Sequence, residues 1–190
     1  MRRLVYYVAC TIDGFIARED GSFDWCLTEG EHFADLLELF PETFPAHLRD
    51  RLGVRAENRR FGAVLMGRKT YEVGLQVGIT NPYPHLRQYL FSNGMTESPD
   101  RNVQLVSGDA VEMVKQLKRE VGKDIWLCGG SELATRLFPE IDELILKVNP
   151  VLIGTGIPLF RGTVPPTTLE MGASKRYGNG FTLTHYRVKH

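Results

Sequence analysis

Ile125-Trp126-Leu127-Cys128-Gly129-Gly130-Ser131-Glu132-Leu133 decides how this chain is read. An apolar run stops at two glycines and a helical pattern begins at once. A buried strand that turns directly into a helix brings backbone N–H groups to the positive end of the helix dipole. Glycine leaves those groups bare, so an anion such as a phosphate or diphosphate can approach them. A second junction of this kind lies upstream. There Val64-Leu65-Met66 runs into Gly67, and Arg68, Lys69, Thr70, Tyr71 and Glu72 follow. Its one glycine precedes two cations and a hydroxyl. Two anion-ready junctions in one small chain point to a phosphate-rich cofactor of the nicotinamide dinucleotide type.

Strands and helices alternate outward from these junctions, which favours an α/β sheet over separate α and β regions. Strands are expected at residues 4–10, 62–67, 88–92, 103–107, 124–128 and 143–153, with a short extended piece at 15–17. Helices are expected at 30–40, 69–75, 109–121 and 131–138. In the first, Phe33, Leu36, Leu37 and Phe40 form the inner face, and Glu31, His32, Asp35 and Glu38 the solvated one. Asp109 suits the N-cap of the third helix and Gly122 its stop. Residues 46–61 are polar and arginine-rich and read as a short surface helix with a loop. Residues 76–87 hold Pro82 and Pro84 and read as a loop. Residues 167–173 and 180–188 form two strands around the turn Tyr177-Gly178-Asn179-Gly180. The sheet is therefore expected to be parallel through most of its width and antiparallel at its C-terminal end.

A chain of 190 residues fits one domain, 1–190, with a full core. Its 23 basic and 23 acidic residues balance, so nothing points to nucleic acid or an acidic membrane surface. No apolar stretch approaches the ~20 residues that span a bilayer. The apolar N-terminus runs into Asp13-Gly14 rather than a small-residue cleavage site, and reads as the first strand. Cys10, Cys26 and Cys128 are odd in number and far apart, so they form neither a disulfide framework nor a zinc pattern. Cys10 and Cys128 read as small core residues, and the cytoplasm as the compartment. The five histidines show no metal-ligand spacing, and no metal is expected.

Thr11-Ile12-Asp13-Gly14-Phe15-Ile16-Ala17, Trp25, the Gly67-Arg68-Lys69-Thr70 junction and the Cys128-Gly129-Gly130 junction, in this order and spacing, resemble the dihydrofolate reductase superfamily. The segment Asn149-Pro150-Val151-Leu152-Ile153-Gly154-Thr155-Gly156-Ile157-Pro158-Leu159-Phe160 is similar to one branch of it. That branch contains the C-terminal reductase domain of the bifunctional riboflavin-biosynthesis deaminase-reductase. The resemblance covers nearly the whole chain. It implies a dihydrofolate-reductase-like three-layer α/β fold without the zinc deaminase half. It also implies a homodimer and an NADPH-dependent reductase that transfers hydride to a C=N or C=O group. The implied substrate is a small heterocycle or sugar amine, such as a ribosylated aminopyrimidine.

The resemblance assigns site residues one by one. Gly129 and Gly130 meet the cofactor diphosphate, often across a cis peptide, and Ser131 and Glu132 open the helix behind them. Read alone, the two glycines equally fit a tight turn. Gly67, Arg68, Lys69 and Thr70 serve the cofactor phosphates. A cation at a helix N-terminus opposes the dipole, a local misfit that a bound anion relieves. Ser92-Asn93 stands where NADPH-dependent relatives place a hydroxyl and an arginine, and the next cation is Arg101. Arg68 and Lys69 keep NADPH the expected cofactor, with NADH possible. Asp13 borders the nicotinamide and the substrate, and either binds substrate or closes an Asx-turn. Trp25 lies at the nicotinamide end or is plain core. One turn past Trp25, where dihydrofolate reductases proper carry the proton-donating acid, stand Glu29 and Gly30. Glu29 fits only if burial raises its pKa, so folate reduction is not the expected reaction. Gly154 and Gly156 let a loop fold over the substrate side, or form a bulge and turn. Two further readings stay open: a nucleotide-binding or regulatory protein without turnover, and a true dihydrofolate reductase.

Overall fold

The structure is a computed structural model and describes residues 1–189. Strand β1 (Leu4–Thr11) is buried along nearly its whole length. A strand of this kind has neighbours on both edges and layers on both faces. Parallel β6 (Asp124–Gly129) lies on one edge and parallel β7 (Ile141–Asn149) on the other. Beyond β6 come β3 (Phe61–Gly67), β4 (Arg87–Phe91) and β5 (Val103–Val106), all parallel. Beyond β7 come β10 (Thr182–Val188) and β9 (Leu169–Arg176), both antiparallel to their neighbours. The eight-stranded order is β5-β4-β3-β6-β1-β7-β10-β9. The mixed sheet expected from the sequence is therefore present, with its antiparallel part at the C-terminal hairpin.

Alternation along β1 splits the core in two. Leu4, Tyr6 and Val8 face α4 (Ala110–Arg119) and α5 (Ser131–Arg136), meeting Val114, Leu117, Leu133 and Ala134. Val5 and Tyr7 face the other way, toward Leu36 of α1 (Glu31–Leu39), Phe40, and Tyr71 of α3 (Arg68–Leu75). Each fully buried Leu or Val contributes about 1.5–3 kcal/mol. Asp109 caps α4 as its position predicts, accepting from the N–H groups of Val111 and Glu112 at 2.9 and 3.2 Å. The chain begins in the middle of the sheet, runs outward through β3, β4 and β5, and returns to β6 between β3 and β1. Parallel strands put all their carboxyl ends on one rim, and a ligand crevice forms where the strand order reverses.

Four expectations need correction. Strand β7 ends at Asn149 rather than 153, because Pro150 has no N–H for a ladder and the Val151 N–H turns back to the Asn149 carbonyl at 2.8 Å. Helix α5 stops at Arg136, and Phe138-Pro139-Glu140 forms a 3-10 turn instead. Helix α4 ends at Arg119, short of Gly122. His32 is fully buried rather than solvated: it stacks on Phe181 with ring centroids 4.2 Å apart. Its Nε2–H donates to the Leu27 carbonyl (3.1 Å), and its Nδ1 accepts from the Asn179 side-chain amide (3.0 Å). The surface helix expected within 46–61 is α2 (Ala46–Arg49). Just before it, the sequence reading passed over Glu42, a fully buried carboxylate that accepts the N–H groups of Arg59, Arg60 and Phe61 at 3.1, 2.6 and 2.6 Å.

Candidate active site

The two glycine junctions meet. Met66 pairs with Gly129 across β3 and β6. A Cβ placed on Gly67 would stand 3.4 Å from the Gly130 nitrogen and 3.7 Å from the Gly129 oxygen. The peptide between Gly129 and Gly130 is cis, as the resemblance implies. The Thr70 hydroxyl lies over both, 3.6 and 3.5 Å from where their side chains would begin. The result is a patch of main chain kept open by three glycines and bordered by one hydroxyl.

Ser131 tests whether a ligand belongs there. Its hydroxyl is buried, the residue being 4% exposed, and has no hydrogen-bond partner among the described residues. A buried hydroxyl without a partner costs free energy that a ligand oxygen would recover. A diphosphate fits the donor set of Ser131, Thr70 and the bare amides. Glu132, the next residue, pairs with Arg161 at 3.4 Å at the surface.

The rim continues along the ends of β4 and β5. Arg68 reaches to 3.7 Å from the Cβ position of Gly94, so its guanidinium lies against the Ser92-Asn93-Gly94 loop. It also pairs with Glu72 at 3.4 Å, both side chains being about half exposed. Lys69 beside it is exposed. Ser92 Oγ accepts the Gly94 N–H, and Asn93 Oδ1 accepts the Gly108 N–H, each at 3.3 Å. Asn93 thus ties two strand ends together. Arg101 precedes β5 and so belongs to the opposite rim of this parallel sheet. The cation that comes to the Ser92 side instead is Arg136, whose Nη2 donates to the Gly108 carbonyl at 2.7 Å. No short motif flags Arg136: it closes α5 and arrives through the fold.

The other half of the crevice is made of two interlocked loops, 11–30 and 149–160. Ile12 N–H donates to the Val151 carbonyl at 3.0 Å, and Leu159 N–H to the Gly14 carbonyl at 2.9 Å. Short strands β2 (Phe15–Ala17) and β8 (Ile157–Pro158) pair antiparallel. A side chain on Gly156 would run into the Ala17 carbonyl oxygen, so that glycine is needed for this ribbon. Gly154 has a φ of 74°, and its N–H donates to Asp13 Oδ2 at 2.8 Å. The Asp13 carboxylate is spoken for on both oxygens. Oδ1 accepts the Thr11 hydroxyl at 2.5 Å, and Oδ2 also accepts the Ile153 N–H at 3.1 Å. The Thr11 bond, and then the two amides, hold this carboxyl below the usual carboxylate range. The Asx-turn reading of Asp13 is not what forms: the Phe15 N–H goes to the Thr11 hydroxyl at 3.0 Å, and the Asp13 carboxylate instead clamps the two loops together.

Asn149, which is 1% exposed, fastens the loop that carries Trp25: its Oδ1 accepts the Leu27 N–H at 2.9 Å. Trp25 is half-buried, and its Nε1–H is enclosed without a partner. Glu29 is exposed, outside the enclosed part of the crevice. A groove of about 400 Å³ between α1 and the C-terminal hairpin, lined by Phe40, Tyr177 and Leu183 among others, includes none of the residues predicted for the site. No group of side chains among the described residues could hold a metal ion, and no helix there is long and apolar enough to cross a membrane.

Known proteins are similar to this chain in sequence and fold. Uncharacterized protein YwjB of Bacillus subtilis is 33% identical over 98% of this chain and 99% of its own. A putative riboflavin biosynthesis protein from Shewanella sp. PV-4 matches all of both chains at 25% identity, with a TM-score of 0.73. Two more distant structures show the fold. A deaminase/5-amino-6-(5-phosphoribosylamino)uracil reductase from Thermotoga maritima has a TM-score of 0.64 at 15% identity, over 99% of this chain and 57% of that one. A dihydrofolate reductase from Enterococcus faecalis, complexed with NADP(H), has a TM-score of 0.65 at 18% identity, over 99% of this chain and 97% of that one. With a family model matched from residue 2 to residue 183 on top of this shared architecture, the chain belongs to the RibD C-terminal domain family.

Proposed function

We propose that this protein is an NADPH-dependent reductase acting on a C=N or C=O group of a small heterocyclic or sugar-amine substrate. The observation that carries the reading is the buried, partnerless Ser131 hydroxyl beside the glycine-lined amides of two adjacent strand ends. The family and the NADP(H)-bound neighbour support it. When bound, the reduced nicotinamide supplies the hydride. The chain's own residues do the rest. Ser131, Thr70 and the amides around Gly129-Gly130 hold the diphosphate, and Arg68 and Lys69 attract the adenosine phosphate. The Asp13 clamp fixes the loops that close the substrate side and exclude water. Exposed Glu29 supplies no buried acid, which separates this reading from folate reduction. A homodimer in the cytoplasm completes the proposal; the three free cysteines suit a reducing compartment.

Titrating NADPH and NADH against intrinsic fluorescence tests it, with Trp126 and Trp25 as reporters. Saturable quenching is expected, tighter for NADPH. Oxidation of NADPH should follow when imines and aldehydes are supplied as a panel. Binding without oxidation across the panel would favour a nucleotide-binding protein on the same fold, and no binding would end the reading. Sedimentation equilibrium checks the dimer.

A further inference from the structure

Lys147 is a cation with nothing to neutralise it. It lies on β7, half-buried, level with Ala9 of β1 and Leu183 of β10. Its Nζ stands 4.1 Å over the centre of the Tyr7 ring. No carboxylate or hydrogen-bond acceptor reaches the ammonium among the described residues. The titratable groups facing it are the thiols of Cys10 at the end of β1, Cys26 beside Trp25, and Cys128 just before Gly129-Gly130. Burial pushes these thiols up to about 11, about 11 and about 12, so none is a thiolate at neutral pH. The same burial pulls the lysine below its ordinary value. A π face compensates an ammonium only in part, so this half-buried ammonium keeps donors free for an incoming acceptor. The neighbours also locate the group. Cys128 belongs to the cofactor junction and Cys26 to the loop of the substrate half, so Lys147 stands where the two halves meet.

We propose that Lys147 is the catalytic residue of the substrate half: its Nζ donates a hydrogen bond to the oxygen or nitrogen of the group being reduced and delivers the proton that this atom takes up. This rests on the reductase reading. When the carbon of the C=O or C=N bond gains a hydride from the reduced nicotinamide, the π pair moves onto the heteroatom. That pair takes the proton from Nζ, and the neutral amine recovers one from water. A lysine ammonium has three donors and no acceptor, so it selects a carbonyl edge and rejects an amino edge.

The test is carbon NMR of protein labelled at lysine Cε, with and without NADPH. The Lys147 signal is identified by its loss in Lys147→Met, or in Lys147→Arg should the first variant not fold. The probes are 6-aminouracil, which presents ring carbonyls, and 1,3-diaminobenzene, which presents amines and no carbonyl or ring nitrogen. The Lys147 signal is expected to titrate below the other lysines. Adding 6-aminouracil should move it and raise its midpoint, and 1,3-diaminobenzene should not. Lys147→Met should bind 6-aminouracil about tenfold more weakly and NADPH within about twofold of the parent. A Lys147 signal unmoved by 6-aminouracil, or equal binding by Lys147→Met, overturns the proposal. If NADPH binds while the lysine stays unmoved, only this proposal falls. If the lysine responds but NADPH does not bind, the reductase reading falls and the lysine site survives.

Discussion

The two halves of the crevice are built from different materials. The half proposed for the cofactor is main chain: the ends of β3 and β6 laid side by side, cleared by Gly67, Gly129 and Gly130, with one buried hydroxyl lacking a partner among the described residues. The substrate half is side chain, and most of it is used internally. Asp13 gives both oxygens to Thr11 and the 150s loop, Asn149 holds the 20s loop, and Gly156 yields its space to the Ala17 carbonyl. Backbone recognition needs the absence of side chains at fixed strand ends, and that absence is written locally in the sequence. Side-chain recognition needs residues brought together from far apart, and it leaves no local mark.

The sharpest way to break this contrast is to put a side chain into the main-chain half. In Gly67→Val the new Cβ would lie 3.4 Å from the Gly130 nitrogen and the methyl groups would cover the amides. NADPH affinity is expected to fall about 100-fold, near 2.7 kcal/mol, with the far-UV circular dichroism unchanged. Calorimetry checks the first and spectroscopy the second. Undiminished binding would mean that these amides are not the cofactor's seat.

The side-chain half responds differently, through loop order. Asp13→Ala removes the acceptor of the Ile153 and Gly154 amides, and the KM for substrate should rise about tenfold, the worth of one charged hydrogen bond. Because the folded-state pKa of Asp13 is depressed, the clamp is complete above the unfolded value of ~3.9 and is lost as pH falls through the lower folded value. Exchange protection of those two amides should therefore be high at neutral pH and disappear in acid. Asp13→Asn keeps an acceptor oxygen without titrating, so its protection should not depend on pH in this range. Amide protection that ignores both variants would show that the loops hold without the clamp.

The same division explains what could be read in advance. The strand alternation, the Asp109 cap and both glycine junctions are local, and they were legible. His32 was misread from its polarity, although its spacing from Leu36 and Phe40 places it on the buried face. What satisfies it is Asn179, from a hairpin turn 147 residues away. The Asp13 clamp spans 140 or more residues, and Arg136 reaches the Ser92 side only because β6 returns to lie beside β3. Residues 151–153 are apolar enough to continue β7, but Pro150 has no N–H to carry the ladder on.

Arg68 sits between the two kinds of recognition, a side chain serving the main-chain half. On the proposed reading, its place against Gly94 puts it at the adenosine end rather than the diphosphate. Arg68→Ala should weaken NADPH about tenfold and leave NADH nearly unchanged, because only NADPH offers a 2′-phosphate to a charged donor. Equal losses for both would move Arg68 to the diphosphate and leave Arg136 as the cation for the 2′-phosphate.

The smallest effect is expected where the resemblance to folate reductases points most directly. Glu29 and Gly30 are the candidates for the position of their acid; Glu29, the one with a carboxyl, is exposed, and it follows a loop tied down by Asn149 rather than by its own side chain. Glu29→Gln should therefore keep kcat and KM within about twofold, and the pH profile of kcat should keep its shape. A tenfold loss of kcat that deepens toward high pH would instead give Glu29 the proton. The substrate half would then share its acid with the folate enzymes, and Lys147 would be left with binding alone.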